Sequence, residues 1–445
     1  MNKTKGKIIA AFGVFALTFL FIGCYGQTKS DKIDQLINTY AKYGQFNGSV
    51  LISEKGEIIY KKGFGLANVE WNIPNQPDTK HRLASMTKQF TAMLILQLVS
   101  ENKLKLQVPI SAYLPDYPKK TGDIITIHQL LTHTSGIPNY TDFASYRDIM
   151  RDPYRPEELV DLFADSSLQF TPGEKFSYSN SGYILLGFII EKITGKNYEQ
   201  VLQEKILTPL KMNNTGYDHA NTIIKNRASG YYKVGNNFQN AGYIDMSTPF
   251  AAGAIYSTVE DLYLWDQALY TEKLLPDKYR DLLFGKYIPE SERSYYGYGW
   301  SIGEMPVGNT KEQLQTISHS GFINGFNTLI TRIPSDKSLI VLLSNAGGAP
   351  LDQMTIAING ILYNKPYNFP KKSIAYSMME VIEKDGITTA LSYFKAIKDS
   401  DSYYLSESEM NDVGYQLLQS GKAKEAAAVF KLNVEAYPNS FNVYD

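Results

Sequence analysis

The chain has 445 residues, more than one hydrophobic core usually supports, so its length predicts two or three folding units. Hydrophobic residues make up 43% and charged residues 20% of the sequence, which is typical of a globular protein. The net charge of −1 does not indicate binding to nucleic acid or to an anionic membrane surface.

The first residues have the composition of an export signal. Three lysines within residues 3–7 precede an uncharged run at 8–23, which is short for a membrane span but suits a signal-peptide core. The residues that end in Cys24, the only cysteine, resemble a bacterial lipobox with Cys24 lipidated. The alternatives are ordinary cleavage after Gly26 and a retained anchor helix. We therefore expect a signal peptide over residues 1–26 and an exported protein, periplasmic or attached to the cell envelope.

The periodic segments that follow predict an α+β fold. They are, in chain order, a helix at 31–43, hairpin strands at 50–52 and 58–60, a long apolar helix at 84–101, a helix at 183–193, and strands at 296–302, 326–333 and 339–343. This order indicates an antiparallel β-sheet flanked by helices, together with a mostly helical lobe. A small-molecule site is expected in a cleft between the lobes.

The motif Ser-x-x-Lys occurs three times, and only its surroundings distinguish the copies. Ser85 opens the long apolar helix, where free backbone N–H groups and the helix dipole favour negative charge on a substrate oxygen. Lys88 follows three residues later on the same helix face, so its ammonium can reach the Ser85 hydroxyl. The other copies begin at Ser100, at the wrong end of that helix, and at Ser392, in mid-helix. An isolated Ser85 would otherwise be interpreted as a helix cap.

A second candidate element is Tyr178-Ser179-Asn180, on a loop at the start of a predicted helix. Ser85 needs a base to lose its proton, and a tyrosine of ordinary pKa, about 10, is a poor base at neutral pH. Close to Lys88 the phenolate would be favoured, which would lower the pKa of Tyr178. Asn180 offers an amide to hold Lys88 and a substrate carbonyl.

The third candidate element is His319-Ser320-Gly321, shortly before the strand predicted at 326–333. A literal Lys-Thr-Gly stands at residues 120–122. We reject it because it precedes Tyr178 and lies between prolines and a Gly-Asp turn, with no strand to carry it.

Two other kinds of catalytic site are not supported by the sequence. A Gly-x-Ser-x-Gly match at 299–303 would need a helix after it to form a nucleophile elbow, and the sequence that follows is not helical. Ser301 is therefore interpreted as a strand residue. The five histidines include no close-spaced pair of metal ligands, so neither a metal nor another cofactor is expected, and His133 is interpreted as a structural hydrogen-bonding residue.

The character of the chain changes after about residue 370, and a helical region is predicted at 372–445. Its small, small, aromatic and proline positions fall at the spacing of a tetratricopeptide repeat, namely Gly414, Ala426, Phe430 and Pro438. One repeat cannot bury its own face, so we expect that the sequence is a truncated copy of a longer protein that binds a protein partner through such repeats. The alternative is a helical hairpin docked on the preceding domain.

The three motifs, in this order, resemble those of the penicillin-recognising serine hydrolases, which include class C β-lactamases, D-alanyl-D-alanine carboxypeptidases, D-aminopeptidases and related esterases. Flanking stretches extend the resemblance, such as Leu-Leu-Thr-His-Thr-Ser-Gly at 130–136 and Tyr-Gly-Tyr-Gly-Trp at 296–300. The resemblance implies a β-lactamase-like domain at 28–368.

The resemblance also implies the roles of the residues. Ser85 attacks a carbonyl and forms an acyl-enzyme. Tyr178 and Lys88 share the base role, and the sequence does not decide which of them accepts the proton of Ser85. The backbone N–H groups of Ser85 and Phe322 form the oxyanion hole. Asn180 and the segment 319–321, that is His319, Ser320 and Gly321, contact the substrate.

His319 stands where dedicated β-lactamases carry lysine, and this difference narrows the expected substrate. A histidine of ordinary pKa is charged only below about pH 6.5. We therefore expect the pH profile of hydrolysis to show a limb near that pH when the substrate carries a carboxylate. We expect hydrolysis of a small-molecule or peptide amide or ester, such as a D-amino-acid peptide or a peptidoglycan-like substrate. The alternatives are a β-lactamase proper and a penicillin-binding sensor without turnover.

Overall fold

The computed structural model describes residues 27–234 and 237–443. The predicted signal peptide and Cys24 lie outside these residues, so the interpretations of that segment stay predictions. No helix within the described residues has the length and apolar character needed to cross a membrane.

An eight-stranded antiparallel sheet forms the centre of the fold. Its strands are β1 (Gly48–Glu54), β2 (Glu57–Phe64), β3 (Ile288–Pro289), β4 (Ser294–Tyr296), β5 (Ser301–Pro306), β6 (Gln313–Ile323), β7 (Phe326–Ile333) and β8 (Ser338–Ser344). Their order across the sheet is β3-β4-β5-β6-β7-β8-β1-β2. The pairing of β1 with β8, in which Leu51 lies opposite Val341, joins segments from the two ends of the domain. The α+β fold class is confirmed.

Helices cover the sheet and fill the long insertion between β2 and β3. The main ones are α1 (Lys29–Lys42), α2 (Thr87–Ser100), α3 (Asn180–Thr194), α4 (Val259–Ala268), α5 (Leu351–Leu362), α6 (Ile374–Ile397), α7 (Glu407–Gln419) and α8 (Ala423–Ala436). Shorter helices lie at 119–122, 127–131, 146–149, 156–161, 198–202, 208–210, 250–253 and 277–280. Short strands lie at 66–68, 73–74, 81–82, 216–217, 231–234, 237–240, 255–257, 346–347, 372–373 and 403–404.

Both faces of the sheet are buried, which explains the continuous apolar run of β8, whose seven residues are all buried. One face packs against α1 and α5 through residues such as Ile340. The other packs against the helical lobe, where Phe90 of α2 stacks on Trp265 of α4 with ring centroids 4.5 Å apart. Helix α2 is buried on every side over residues 87–98, so it forms the centre of the lobe.

The prediction of one strand over residues 296–302 is wrong. The chain leaves the sheet after Tyr296 and rejoins it at Ser301. Gly299, in between, adopts φ +75° and lies so close to α2 that an added Cβ would be 2.7 Å from the Lys88 carbonyl oxygen. Tertiary packing therefore interrupts the strand. The interpretation of Ser301 as a strand residue is confirmed.

Three helices follow the domain that contains the eight-stranded sheet. Helix α6 is kinked at Gly386 (φ 80°, ψ 170°). Helices α7 and α8 pack together, and Gly414 lies directly against the ring of Phe430. A side-chain hydrogen bond from Gln45 to the Lys371 carbonyl (2.8 Å) ties this region to the sheet domain. The assignment of these helices to a tetratricopeptide repeat stays a prediction.

Candidate active site

Ser85 lies in a single 3₁₀ turn, Ala84–Met86, that leads directly into α2. Ala84, just before it, adopts φ +51°, a conformation that costs a residue with a side chain about 1–3 kcal/mol. Leu83 is fixed on two sides: its N–H donates to the Ile255 carbonyl (2.8 Å), and its carbonyl accepts from the Thr328 hydroxyl (2.8 Å). The sheet and the helical lobe thus hold the turn that presents Ser85.

Lys88 is buried next to Ser85 and makes three polar contacts. Its Nζ atom lies 3.0 Å from Ser85 Oγ, 2.8 Å from Asn180 Oδ1 and 2.9 Å from the Ala252 carbonyl oxygen. None of these partners carries a charge, and the side chain is fully buried. Burial therefore lowers the pKa of Lys88 well below its ordinary value. A neutral amine in this place can accept the proton of Ser85.

The phenol of Tyr178 lies beside the same lysine, with its ring centroid 4.9 Å from Lys88 Nζ. Burial raises the pKa of Tyr178 above its ordinary value; a hydrogen bond with Ser85 opposes that rise, and the charge of Glu290 adds to it. The expectation that Lys88 lowers this pKa is wrong, because burial penalises the charged forms of both side chains. Tyr178 is therefore a protonated donor at neutral pH.

Asn180 is the first residue of α3, and its side-chain amide is held at both ends. Its oxygen accepts from Lys88, as expected. Its Nδ2 group donates to Asn139 Oδ1 (3.2 Å), and its backbone N–H donates to the same atom (3.0 Å). The Nδ2 group also donates to the Thr141 hydroxyl (3.4 Å), and neither Asn139 nor Thr141 was identified from sequence as a site residue.

The third motif lies on β6, a strand that the sequence analysis did not predict. Strand β5 begins at Ser301, opposite Ser318, so residues 319–323 of β6 pair with β7 and have an edge without a strand partner within the described residues. Gly321 lies against the Leu83 carbonyl oxygen and the Thr328 hydroxyl, too close for any side chain. Phe322, which follows it, is 61% exposed at this edge.

His319 is buried, and both of its ring nitrogens have partners. Nε2 lies 3.0 Å from the Tyr296 hydroxyl, and Nδ1 lies 2.6 Å from the Ser320 carbonyl oxygen. Burial, with the nearby charge of Lys88, lowers the pKa of His319 to about 3. The expectation that titration of His319 gives the pH profile of hydrolysis a limb near pH 6.5 is therefore wrong, because the imidazole stays neutral as the pH falls well below that value.

Two further residues at the site were not identified from sequence as site residues. The Tyr296 hydroxyl donates to His319 Nε2, because the single ring proton of the neutral imidazole lies on Nδ1, beside the Ser320 carbonyl oxygen. Glu290 lies after β3, and its carboxylate accepts a hydrogen bond from the Ser301 hydroxyl (2.6 Å). Tyr296 opens the stretch 296–300 that carries part of the resemblance, but that stretch assigns it no role, and Glu290 stands in no recognisable motif. No cluster of three or more His, Cys, Asp or Glu side chains suited to a metal ion occurs in residues 27–234 and 237–443.

Comparison with known proteins gives consistent matches over the domain that carries this site. The family model described as Beta-lactamase matches residues 33–362. The chain is 30% identical over 368 residues to penicillin-binding protein 4* of Bacillus subtilis (strain 168), covering 78% of this chain and 79% of the relative.

Solved structures extend the likeness to the fold. The penicillin-binding protein from Bacillus halodurans is 28% identical, with a TM-score of 0.65, over 73% of this chain and 98% of that one. The D-amino acid amidase from Ochrobactrum anthropi SV3 is 26% identical, with a TM-score of 0.63, over 74% of this chain and 99% of that one.

Proposed function

This chain belongs to the β-lactamase family of serine hydrolases, and on that premise we propose that it cleaves an ester or amide through an acyl-enzyme on Ser85. The observation that carries the proposal is the 3.0 Å contact between Lys88 Nζ and Ser85 Oγ, made by a lysine whose pKa is lowered by burial. Such a pair is an activated nucleophile with its base.

The proposed acylation assigns the base role to Lys88 and the acid role to Tyr178. Lys88 takes the proton of Ser85 as Oγ bonds to the carbonyl carbon, and the backbone N–H groups of Ser85 and Phe322 stabilise the resulting oxyanion. The bond to the leaving group then breaks, and Tyr178 gives its proton to the leaving atom. The Lys88 ammonium returns a proton to the phenolate, and water later hydrolyses the acyl-enzyme.

The neutral state of His319 supports an ester or amide substrate over a β-lactam. Dedicated β-lactamases place a lysine cation at this motif position, whereas here the imidazole is uncharged and its nitrogens are occupied. The likeness to a D-amino acid amidase, at 26% identity, is consistent with this choice. We propose D-amino-acid amides and peptides, peptidoglycan-like fragments or esters as the substrate class.

A substrate panel tests the proposal. Purified protein is mixed with a p-nitrophenyl ester, a D-amino-acid p-nitroanilide, a D-Ala-D-Ala peptide and a chromogenic cephalosporin, and intact mass is measured for Ser85 adducts. We expect turnover of the ester or the anilide and an adduct that is absent in Ser85→Ala. Turnover that survives Ser85→Ala would rule the proposal out. Stoichiometric labelling without turnover would favour a penicillin-binding sensor, and preference for the cephalosporin would favour a β-lactamase.

We also propose that the protein is exported, on the basis of the signal-like residues 1–26. Fractionation of cells that express the full chain tests this, with labelling by a radioactive fatty acid as a second measurement. Labelling that disappears in Cys24→Ala supports the lipoprotein. An unlabelled, released protein supports cleavage after Gly26, and retention in the cytoplasm contradicts export.

A further inference from the structure

We propose that Asn139 is a positioning residue that directs the side-chain amide of Asn180 and, through it, the proton-accepting lone pair of Lys88. The inference rests on the proposed function and deepens it, because it adds a residue outside the three sequence motifs to those on which deprotonation of Ser85 depends. The hydrogen bonds that carry it form a continuous series from Asp142 to Ser85.

The base role proposed for Lys88 requires a neutral amine whose lone pair faces Ser85. A neutral amine has two N–H groups and one lone pair. Of the three polar neighbours of Nζ, the Asn180 Oδ1 atom (2.8 Å) and the Ala252 carbonyl oxygen (2.9 Å) can only accept hydrogen bonds. These two acceptors take both N–H groups, so the lone pair is left for the Ser85 hydroxyl, 3.0 Å away. The arrangement requires Asn180 to present its oxygen to Lys88.

The opposite orientation of the Asn180 amide would block the base. Its Nδ2 group would then face Lys88 Nζ, and an N–H donor that points at a neutral amine occupies the lone pair of that amine. Ser85 could no longer pass its proton to Lys88, although every side chain would remain in place. Because the two ends of an amide have nearly the same size, hydrogen bonds rather than shape must fix its direction.

Asn139 fixes this direction because its own amide can point only one way. Its Nδ2 group donates to the Asp142 carboxylate (2.9 Å), which only accepts, and to the Thr141 hydroxyl (2.6 Å). At the other end of the amide, Oδ1 accepts from the backbone N–H of Asn180 (3.0 Å), which only donates. The same oxygen accepts from Asn180 Nδ2 (3.2 Å), so the side-chain nitrogen of Asn180 faces Asn139 and its oxygen faces Lys88.

The backbone that carries Asn139 is tied to the start of α3. The hydroxyl of Ser181, in the first turn of that helix, accepts from the Tyr140 N–H (2.9 Å) and donates to the Pro138 carbonyl (2.7 Å). The residues on both sides of Asn139 are therefore held next to Asn180 by contacts that do not involve the Asn139 side chain. A substitution of Asn139 thus tests the role of its amide.

Removal of the Asn139 amide should slow acylation of Ser85 without weakening substrate binding. In Asn139→Ala, water fills the space, and water, as both donor and acceptor, does not fix the direction of the Asn180 amide. With a p-nitrophenyl ester, we expect the limiting rate of the p-nitrophenol burst to fall at least about tenfold, while the ester concentration that gives half of that rate changes little. Asn38→Ala is the matched control and should have a normal burst. The Asn38 amide also donates to a carboxylate, that of Asp34 (2.7 Å), but it lies in α1.

A double-mutant cycle with Asn180 separates positioning from a general effect on the fold. Asn180→Ala removes the amide that Asn139 directs, so adding Asn139→Ala should lower the residual burst rate by no more than about twofold. A loss as large as in the wild-type background, or a normal burst in Asn139→Ala alone, would overturn the inference and leave the proposed function intact.

The wild-type protein decides the proposed function separately. Absence of any Ser85 adduct in the wild type would overturn the proposed function and the inference together. If thermal unfolding shows that Asn139→Ala does not fold, Asn139→Leu, which fills the space without an acceptor, takes its place in the cycle with the same expected rates.

Discussion

The imidazole of His133 lies against the phenol ring of Tyr178, with ring centroids 4.2 Å apart and planes inclined by 33°. The same residue holds the loop on both sides of Tyr178. Its carbonyl accepts from the Ser177 N–H (2.9 Å), and its Nδ1 atom accepts from the Ser179 N–H (3.1 Å). The prediction of a structural hydrogen-bonding role for His133 is confirmed, and the contacts make it a positioning residue for Tyr178.

Replacement of His133 by alanine should therefore lower kcat more than it raises KM. Loss of the ring and of its acceptor frees the loop, and a small displacement of a catalytic group can cost about 10- to 100-fold in rate. His133→Asn is the matched control, because an amide oxygen can replace Nδ1 and asparagine tolerates the φ of +56° found here. Steady-state kinetics on one ester would check this. Equal kcat for wild type and His133→Ala would show that the loop around Tyr178 keeps its conformation without the His133 side chain.

Lys88→Arg should slow acylation of Ser85 strongly, although arginine is also a long basic side chain. A guanidinium does not give up its proton at neutral pH, so the base is lost, and general-base catalysis typically contributes about 10²–10⁴-fold. Pre-steady-state release of p-nitrophenol measures acylation directly. Lys105→Arg, at a position outside the site, controls for the substitution itself. A burst of normal rate in Lys88→Arg would assign the base role to another group, in the first place Tyr178.

The motif residues could be predicted from sequence because their relationships are local. A serine at a helix start and a lysine three residues on must share a face, and Ser85 and Lys88 do. Strand β6 was missed because apolar and polar residue types do not alternate along its sequence, which also contains Gly321. Strand β6 is stabilised by its pairing with β5 on one side and β7 on the other. Such pairing cannot be inferred from the sequence of one strand alone.

The electrostatics of the site could not be predicted from sequence, because burial decides them. The pKa of Tyr178 was expected to respond to the charge of Lys88, and that of His319 to be ordinary, whereas desolvation dominates both. Glu290 was not identified because it stands in no motif, and its carboxylate is held by a hydrogen bond from Ser301 of β5. Burial and strand order are properties of the whole fold.

The ratio of kcat/KM values for a carboxylate-bearing and a neutral ester should stay constant from about pH 5.5 to 8. The pKa of His319 is lowered to about 3, so its imidazole stays neutral throughout that range and cannot begin to attract a carboxylate as pH falls. The ratio cancels titrations that affect the reactions of both esters equally. A rise in the ratio below about pH 6.5 would indicate a charged His319, and its persistence in His319→Gln would assign it to another group.

Acid should destabilise the folded protein between about pH 6.5 and 4 through its buried histidines. Burial lowers the pKa of His81 to about 4, whereas an unfolded histidine titrates near 6.5. The unfolded state therefore binds the proton first, so stability is present above pH 6.5 and falls as pH decreases. We expect His81 to account for about 2 kcal/mol of the free energy of unfolding lost by pH 4.5. Urea unfolding of wild type and His81→Gln at pH 6.5 and at pH 4.5 measures the contribution of His81. An equal loss of unfolding free energy in both proteins would contradict this prediction.

Gly321→Ala should impair both stability and acylation, because the structure leaves no space for a Cβ at this position. The added carbon would overlap the Leu83 carbonyl oxygen and the Thr328 hydroxyl, the pair of groups that fixes the turn before Ser85. Relief of the overlap must move β6 away from Ser85, at a cost of about 1–3 kcal/mol in unfolding free energy.

The control for Gly321→Ala is Gly242→Ala. Gly242 is exposed and accepts a hydrogen bond from Asn324, next to β6, and its added Cβ would meet only the Asn324 amide at an ordinary 3.8 Å. Its unfolding free energy should change by less than about 0.5 kcal/mol. Thermal unfolding and the p-nitrophenol burst are measured for both variants. An active, stable Gly321→Ala would mean that β6 does not need its close approach to the Ser85 turn, and the assignment of the Phe322 N–H to the oxyanion hole would lose its structural basis.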